Sequence, residues 1–588
     1  MRTGRRSDAH GNWQSNAAIG GIALLCVASA FSAFAQVLPD TRPDAGQLQR
    51  DIERGRFPTE PRRQPDTPLI EEIERPAMAA PETARFPVKG FRISRITVFP
   101  EAELLPLLKN FVEQDLSLAD LWRAADIITR YYRDHGYFVA RAYIPAQDIN
   151  DGIVEIIVLE GKVDRISVKP IGDVRLQESV VEGTLRSALP ADGLIRKDEL
   201  ERGLLLLNDL PGVKVRSVLS PGATVGTSLL TTEVTQGPRL SGHVDFDNYG
   251  NKFSGAMRVG AAINLNDALG RGDQLSLRVS DSSGVRHGRV AYLTPVGTTG
   301  LKMGAAYSEM RYELCCDFAA LQVHGSAQVA SANALYPIVR RRDFSLYGTT
   351  AYDHRHFSNA TITGPTSDKK VDVGVFGIQG DSQDFVGGGG LNTFGLALST
   401  GNVSLNGWTA DRNSDSTTAR THGGYQKLSY SLVRLQKLSE KFSFYTSFSG
   451  QIASKNLDSS EKISLGGPLG VRAYPQGEAF GDESMLLNME LRYSLTQSLQ
   501  IAPFFDHGET RLHRNPWDGW QGANTLIQNR YGLSGYGLGL NWSSPGNFLV
   551  RFGIAQRIGT NPGRSMNGHD ADNAKQSPRV WLHVVKHF

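Results

Sequence analysis

The sequence predicts a multidomain chain in which two α+β units are followed by a C-terminal transmembrane antiparallel β-barrel of about 16 strands. Three observations predict it. Residues 238–588 alternate apolar and polar side chains in segment after segment. Residues 88–163 and 164–237 repeat one order of elements: strand, helical region, strand, strand. The first 35 residues have the layout of a secretory signal.

Composition narrows the class. Of 588 residues, 40% are hydrophobic and 21% charged, with a mean hydropathy of −0.28. A polytopic helical membrane protein, built from repeated apolar runs of about 20 residues, is excluded. A barrel is not, because its alternating strands average to mild polarity. Lys+Arg (63) and Asp+Glu (60) nearly balance, so no global field attracts nucleic acid and none is expected as a partner. Three cysteines provide no disulfide framework.

Arg2, Arg5 and Arg6 precede an apolar run over residues 17–35 that closes on Ala33-Phe34-Ala35. This pattern predicts a signal peptide, residues 1–35, cleaved after Ala35. The alternative is an uncleaved anchor helix, against which Gly20-Gly21 interrupts the helical run. Cys26 leaves with the leader, so Cys315 and Cys316 remain. Adjacent cysteines bridge only with strain, so two loop thiols of no special role are expected.

Within residues 36–56 the sequence predicts a short helix over 44–53, with Leu48 and Ile52 on one face. Prolines at 58, 61, 65, 68, 76, 81 and 87 make residues 57–87 an extended linker without regular structure. A helix on a long tether can enter and leave a site. A leader with no role fits the same residues.

The first α+β unit, 88–163, opens with an alternating strand over 93–98. Ser117 caps a helix, with Asp120 three residues on as in a capping box. Leu118, Leu121, Ala125, Ile128 and Tyr132 form its buried face, and Gly136 ends it. Strands over 137–144 and 153–159 follow, turned by Asn150-Asp151-Gly152. The second unit, 164–237, has strands over 165–170, 213–220 and 228–235 and helical segments over 176–189 and 197–209. Pro211-Gly212 makes its turn.

From 238 onward the alternation is strict. Leu275, Leu277 and Val279 alternate with Gln274, Ser276 and Arg278, and Leu487, Met489, Leu491 and Tyr493 recur in the same way. In a soluble sandwich such an apolar face meets a core; in a membrane barrel it meets lipid. The exported leader, the alternation and a terminal strand ending in Phe588 favour the barrel. Lys586 departs from that last apolar series.

No G-x-S-x-G, H-E-x-x-H or G-x-x-x-x-G-K-[ST] motif occurs, and the 13 histidines show no metal spacing. Gly535-Tyr536-Gly537-Leu538-Gly539 imitates a nucleotide fingerprint but lies in an alternating strand with no helix after it. Neither enzyme activity, cofactor nor metal is expected. Two stretches stand out instead. Gly466-Gly467-Pro468-Leu469-Gly470-Val471-Arg472-Ala473-Tyr474 lies in a connection of about 30 residues, a length that is usually functional. Phe504-Phe505-Asp506-His507-Gly508 lies on or just after the next strand. Arg472 and Asp506 either form a charge-assisted pair that pins the loop to the wall or are two unrelated solvated charges.

These residues resemble a known family. Val471-Arg472-Ala473-Tyr474 is similar to the V-R-G-[YF] loop motif of the BamA-like outer-membrane superfamily, with Ala473 where Gly is usual. Phe504-x-Asp506-x-Gly508 matches its [FG]-x-D-x-G strand motif. The α+β units resemble paired POTRA domains through Leu118-Ala119-Asp120-Leu121, Tyr131-Tyr132-Arg133-Asp134-His135-Gly136-Tyr137 and Leu207-Asn208-Asp209-Leu210-Pro211-Gly212-Val213. Asp247-Asn248-Tyr249-Gly250-Asn251 and Gly270-Arg271-Gly272-Asp273 resemble the first barrel hairpins, and Pro43-Asp44-Ala45-Gly46 the start of a plug helix. Over essentially the whole mature chain the sequence resembles the two-partner secretion transporters, the TpsB family of haemolysin and filamentous-haemagglutinin exporters.

The resemblance implies a barrel in the bacterial outer membrane with both POTRA units in the periplasm. An unfolded secreted exoprotein carrying an N-terminal secretion domain would be captured there and threaded through the lumen without ATP. It implies that the Arg472 loop docks on Asp506 inside the lumen and that a helix bearing Leu48 and Ile52 plugs the pore at rest. Outer-membrane lipid, a barrel-assembly machinery engaged through Phe588 and a monomeric state complete the expected surroundings. The alternative is a membrane-protein assembly factor of the same superfamily. A passive porin is the third reading, but porins need no paired α+β domains.

Overall fold

The structure, a computed structural model, describes residues 42–54, 70–72, 85–149, 151–522, 524–544 and 546–588. The expected leader and its cleavage site at Ala35 lie outside the described residues, as does most of the proline-rich stretch.

Among the described residues, sixteen antiparallel strands close into a barrel in chain order, and the last, Arg579–His587, pairs with the first, Leu240–Asp247. Along strands such as Gln274–Ser282, exposure alternates as the sequence does. On Gln274–Ser282, Leu275, Leu277 and Val279 face outward at 40, 51 and 49% exposure. Val244, Phe246, Val259, Ile263, Phe376 and Leu398 do the same on other strands, while Asp245 and Asp247 point inward and are buried. An apolar outside around a polar inside inverts a soluble sandwich and is what surrounding hydrocarbon requires. No helix among the described residues is long and apolar enough to cross a membrane.

Phe588 extends the closing seam. Its amide and carbonyl exchange bonds of 3.0 Å with Gly242. The outlying Lys586 finds a use at the same edge, with its ammonium 4.4 Å from the Phe548 ring centre and donating to the Gly546 carbonyl. The aliphatic stem stays against apolar surface while the charge reaches the strand end.

Both α+β units precede the barrel. In the first, helix α1 (Leu118–Asp134) is capped by Ser117, which accepts from the Asp120 amide while the Asp120 carboxylate accepts from Ser117. The Ser117 hydroxyl, then its amide, hold the Asp120 carboxyl below its ordinary range. Leu121, Ala125, Ile128 and Tyr132 are buried against the sheet of Gly90–Ser94, Ile153–Leu159 and Arg141–Tyr143. Gly136 ends the helix at φ 91°. In the second unit, helices α2 (Glu178–Ala188) and α3 (Lys197–Asn208) cover strands Lys162–Ile171, Val213–Pro221 and Thr227–Gln236.

Several expectations need correction. The strand over 93–98 stops at Ser94, because Arg95 takes φ 58° and the amides of Thr97 and Val98 donate instead to the buried Glu160 carboxylate at 2.7 and 2.9 Å. The strand over 137–144 shrinks to Arg141–Tyr143 after a turn in which the Ala140 amide donates to the Tyr137 carbonyl. The proline-rich stretch is not free of regular structure: Ile70–Glu72 pairs in parallel with Ser217, Val218 and Leu219, and Arg85–Val88 pairs with Gln114–Ser117. Ile70–Glu72 falls between Pro68 and Pro76, where backbone amides remain available, and Arg85–Val88 accommodates Pro87 on an edge strand. Cys315 and Cys316 are not separate thiols. They form a disulfide between neighbours in a tight turn, with Cys316 at φ 64°.

Candidate functional site

The long connection between Phe442–Ala453 and Glu483–Ser494 folds back into the barrel. Leu465, Val471, Ala473 and Tyr474 have no exposed surface. Its stem is the short pair Ile463–Ser464 with Phe480–Gly481. The Val471 amide donates to the Leu465 carbonyl at 2.7 Å and tightens the tip.

At the tip the wall strand Leu499–Arg511 presents Asp506, wholly buried, to Arg472. Arg472 Nε donates to Asp506 Oδ2 at 2.9 Å and its terminal nitrogen to Oδ1 at 2.8 Å. The Arg472 amide adds a third bond, 3.0 Å to Oδ2, and Asn488 Nδ2 a fourth, 2.7 Å to Oδ1. A buried carboxylate is tolerated only when paired and fully hydrogen-bonded, and four donors meet that demand. The remaining Arg472 nitrogen donates to Glu490 at 2.7 Å, and Arg492 holds Glu490 from its other side at 2.9 Å. The guanidinium also lies 3.4 Å from the Phe504 ring centre, a cation–π contact. Trp581, on the closing strand, donates to the Arg472 carbonyl at 2.7 Å.

Val471, Arg472, Ala473, Tyr474, Phe504, Asp506 and Gly508 therefore come together in one cluster. Gly508 leaves room for Leu465, whose Cδ2 would lie 2.9 Å from a Cβ placed there. Ala473 does not take a left-handed conformation, so a glycine's backbone freedom is not needed at that position. Its methyl fills the hollow over Gly535, where a Cβ would lie 2.5 Å from Ala473 Cβ. Gly537 makes the same kind of room for Phe504. Within the glycine run that imitates a nucleotide motif, Gly535 thus receives the loop and Gly537 the wall residue Phe504 that lies under Arg472.

A helix also lies inside the barrel. Helix αN (Ala45–Arg54) is started by Asp44, whose Oδ1 accepts from the Gln47 amide at 2.8 Å. Leu48 is buried and Ile52 half-buried in an apolar cluster with Phe253, Met310, Phe357 and Val371. Lys369, from the wall, donates to Asp44 at 3.1 Å and to Asp458 of the lumen loop at 2.8 Å. Ser459 donates to Asp44 at 2.7 Å, and Gln476 to Asp51 at 2.7 Å. At the other end Arg355 bridges Asp353, Glu461 and Glu53. Helix and loop thus share the lumen and are tied to each other and to the wall.

Sequence reasoning missed Asn488, Glu490 and Arg492, although they are the alternate residues of a strand whose apolar face it read. It also missed Lys369, Arg355 and Trp581, whose partners are remote in the chain.

One group among the described residues has metal-ligand chemistry: Asp245, Asp247 and His583 place ligand atoms within 4.8 Å of one another. Arg258 already holds Asp247 through bonds of 2.8 and 3.1 Å, and Arg278 lies 3.6 Å from Asp245. The arginines neutralise these carboxylates, and the group reads as an ion-pair network.

Residues 86–161 match the model of the ShlB-type POTRA domain, and residues 226–542 that of the haemolysin secretion/activation protein ShlB/FhaC/HecB. The heme/hemopexin transporter protein HuxB of Haemophilus influenzae (strain 86-028NP) is 28% identical over 565 residues, covering 93% of this chain and 95% of HuxB. The outer membrane transporter CdiB of Dickeya dadantii is 23% identical, covering 80% of this chain and 83% of CdiB. The solved structure of CdiB from Escherichia coli superposes with a TM-score of 0.66 at 21% identity, over 93% of this chain and 96% of that one.

Proposed function

The chain belongs to the haemolysin secretion/activation family ShlB/FhaC/HecB, and on that footing we propose that it exports an unfolded exoprotein with an N-terminal secretion domain. It is an outer-membrane two-partner secretion transporter with its POTRA units in the periplasm. Haemolysins, haemagglutinin-type adhesins and contact-inhibition toxins are the cargo classes proposed.

The POTRA units capture the exoprotein by adding its extended chain to a sheet edge, where backbone bonds give affinity. Ile70–Glu72 supports this mode, since an extended segment of the protein's own chain already augments the Val213–Pro221 edge. The captured chain threads the lumen without ATP, and folding outside the cell biases transit outward. At rest helix αN, through Leu48 and Ile52, plugs the pore, and the linker lets it leave. The Arg472 loop, docked on Asp506, shapes the channel. Lipid surrounds the barrel, which works as a monomer and is assembled through its terminal Phe588.

The observation that carries the reading is the lumen itself, filled by a helix and a loop that are held by side chains rather than by continuous sheet. Such a filling can be displaced without dismantling the wall. Conductance across a planar bilayer, measured for the full chain and after deletion of residues 36–55, tests it. The full chain is closed and the truncated one conducts; equal closure of both would reject the plug.

A further inference from the structure

Asp209 sits where helix physics disfavours it. It caps the C-terminus of α3, the negative end of the helix dipole, where a carboxylate is destabilising. The compensation comes from the barrel. Arg340 Nε donates to Asp209 Oδ2 at 2.8 Å and its terminal nitrogen to Oδ1 at 2.8 Å, a bidentate fork. The other Arg340 nitrogen donates to the Arg341 carbonyl at 3.0 Å and to Ser345 Oγ at 3.2 Å. The Arg340 side chain is 5% exposed. Lys302 Nζ, from another wall strand, donates to the Asp209 main-chain carbonyl at 2.6 Å.

The sheet is built to deliver that arginine. Arg340 ends strand His324–Arg340, and the pairing register with Phe344–Thr361 shifts between Pro337 and Val339. A one-residue bulge reverses which face the following side chains take. Arg340 therefore pairs with buried Ser345 on the inner side of the mouth. Arg202, one helical face from Asp209, donates to the Pro337 carbonyl at 3.0 Å, and Arg342 lies 3.3 Å from Glu201. Leu206 and Leu210 close over Pro337 and Gly300 beside the pair.

We infer that Asp209 and Arg340 form the pin that seats the second POTRA unit on the rim of the pore, and that hand-over of the exoprotein from this unit to the lumen depends on it. The inference rests on the export reading above. A fork fixes orientation as well as distance, so it sets where the POTRA sheet edge stands relative to the opening. Asp209 and Arg340 are positioning residues, and they touch each other across two folding units.

The test uses the full chain in cells, with each exoprotein of the same genome that carries an N-terminal secretion domain co-expressed as cargo. Asp209→Asn, Arg340→Gln and the double variant are compared for release of that cargo into the medium. Binding of the cargo's N-terminal segment to each purified variant is measured alongside. Each single variant is expected to bind within about twofold of the unaltered protein and to release at least about fivefold less, with the double variant no lower than the singles, the signature of a coupled pair. Arg341→Gln, which breaks only the exposed pair with Asp343, should release normally. Unchanged release by Asp209→Asn, or additive losses in the double variant, would overturn the pin. Should Arg340→Gln fail to assemble, Asp209→Asn decides alone, since it alters no barrel strand. A wild type that releases nothing would sink the export reading and the pin with it; a releasing wild type with a releasing Asp209→Asn would sink the pin alone.

Discussion

Arg472 and Asp506 meet in the lumen through two side-chain bonds of 2.8 and 2.9 Å and a third, of 3.0 Å, from the Arg472 amide. The backbone bond matters as much as the fork, because it fixes the loop tip and not only the flexible end of a side chain. With Asp506 fully buried, its charge has no water to fall back on.

Arg472→Ala and Asp506→Ala should each free the loop. Removing one partner of a buried pair costs about 3–5 kcal/mol, enough to change which arrangement of the loop dominates. Cargo release should fall sharply while the barrel still inserts, read by heat-modifiable mobility of the membrane-extracted protein. Arg472→Lys should not restore release, since an ammonium cannot reproduce the fork. Normal release from both alanine variants would rule out a role for docking.

The glycine patch makes a second, independent prediction. Gly535→Ala places a methyl against Ala473 and should loosen the loop without touching any charge. Gly553→Ala, on the adjacent strand, meets nothing within 4 Å and should be silent. Limited proteolysis of the loop in intact cells compares the two. Equal protection in both variants would mean that the loop does not lie on this wall.

Asp44→Asn separates two roles of one residue. Asparagine caps a helix as well as aspartate does, so αN should still form. The ionic tie to Lys369 is lost, and the seated state should lose about 1–2 kcal/mol, raising pore opening roughly tenfold. Single-channel recordings at fixed voltage read this directly. An opening frequency equal to the unaltered protein's would show that Lys369 does not hold the helix.

In the first POTRA unit, Glu160 gathers the Thr97 and Val98 amides and the Tyr132 hydroxyl, the last at 3.0 Å. Burial, reinforced by Glu160, pushes the Tyr132 phenol up, so it stays a donor at any physiological pH. Glu160→Ala leaves these donors without partners at about 1–3 kcal/mol. Hydrogen exchange over residues 91–99 should accelerate while exchange in the barrel is unchanged. Unaltered protection there would contradict the assigned network.

Much of the architecture was legible in the sequence, because its dominant signal is local. Period-two alternation named the barrel strands, and Ser117 with Asp120 named a helix start that the structure reproduces bond for bond. What stayed hidden is contact at a distance. Gly535 looks purposeless until a loop about 60 residues away is laid across it, and Gly537 until the Phe504 ring of the neighbouring strand is placed over it. Glu490 was within reach, since reading Met489 and Leu491 as the outer face already assigns Glu490 and Arg492 to the inner one. Asp209 carried its own clue, an acid at a helix C-terminus, but nothing local says that a barrel arginine answers it. The strand Ile70–Glu72 was obscured by Pro68 and Pro76 on either side, which punctuate the chain but leave the residues between them free to pair.

Export of the cargo itself tests the account most directly. In a strain lacking this gene, the genome's exoproteins that carry an N-terminal secretion domain are followed in the medium and the periplasm by immunoblot, with complementation by the unaltered chain or by Arg472→Ala. Cargo is expected in the medium only with the unaltered chain, and retained or degraded in the periplasm with the empty strain and the variant. Cargo in the medium without this gene, or full release through Arg472→Ala, would contradict it.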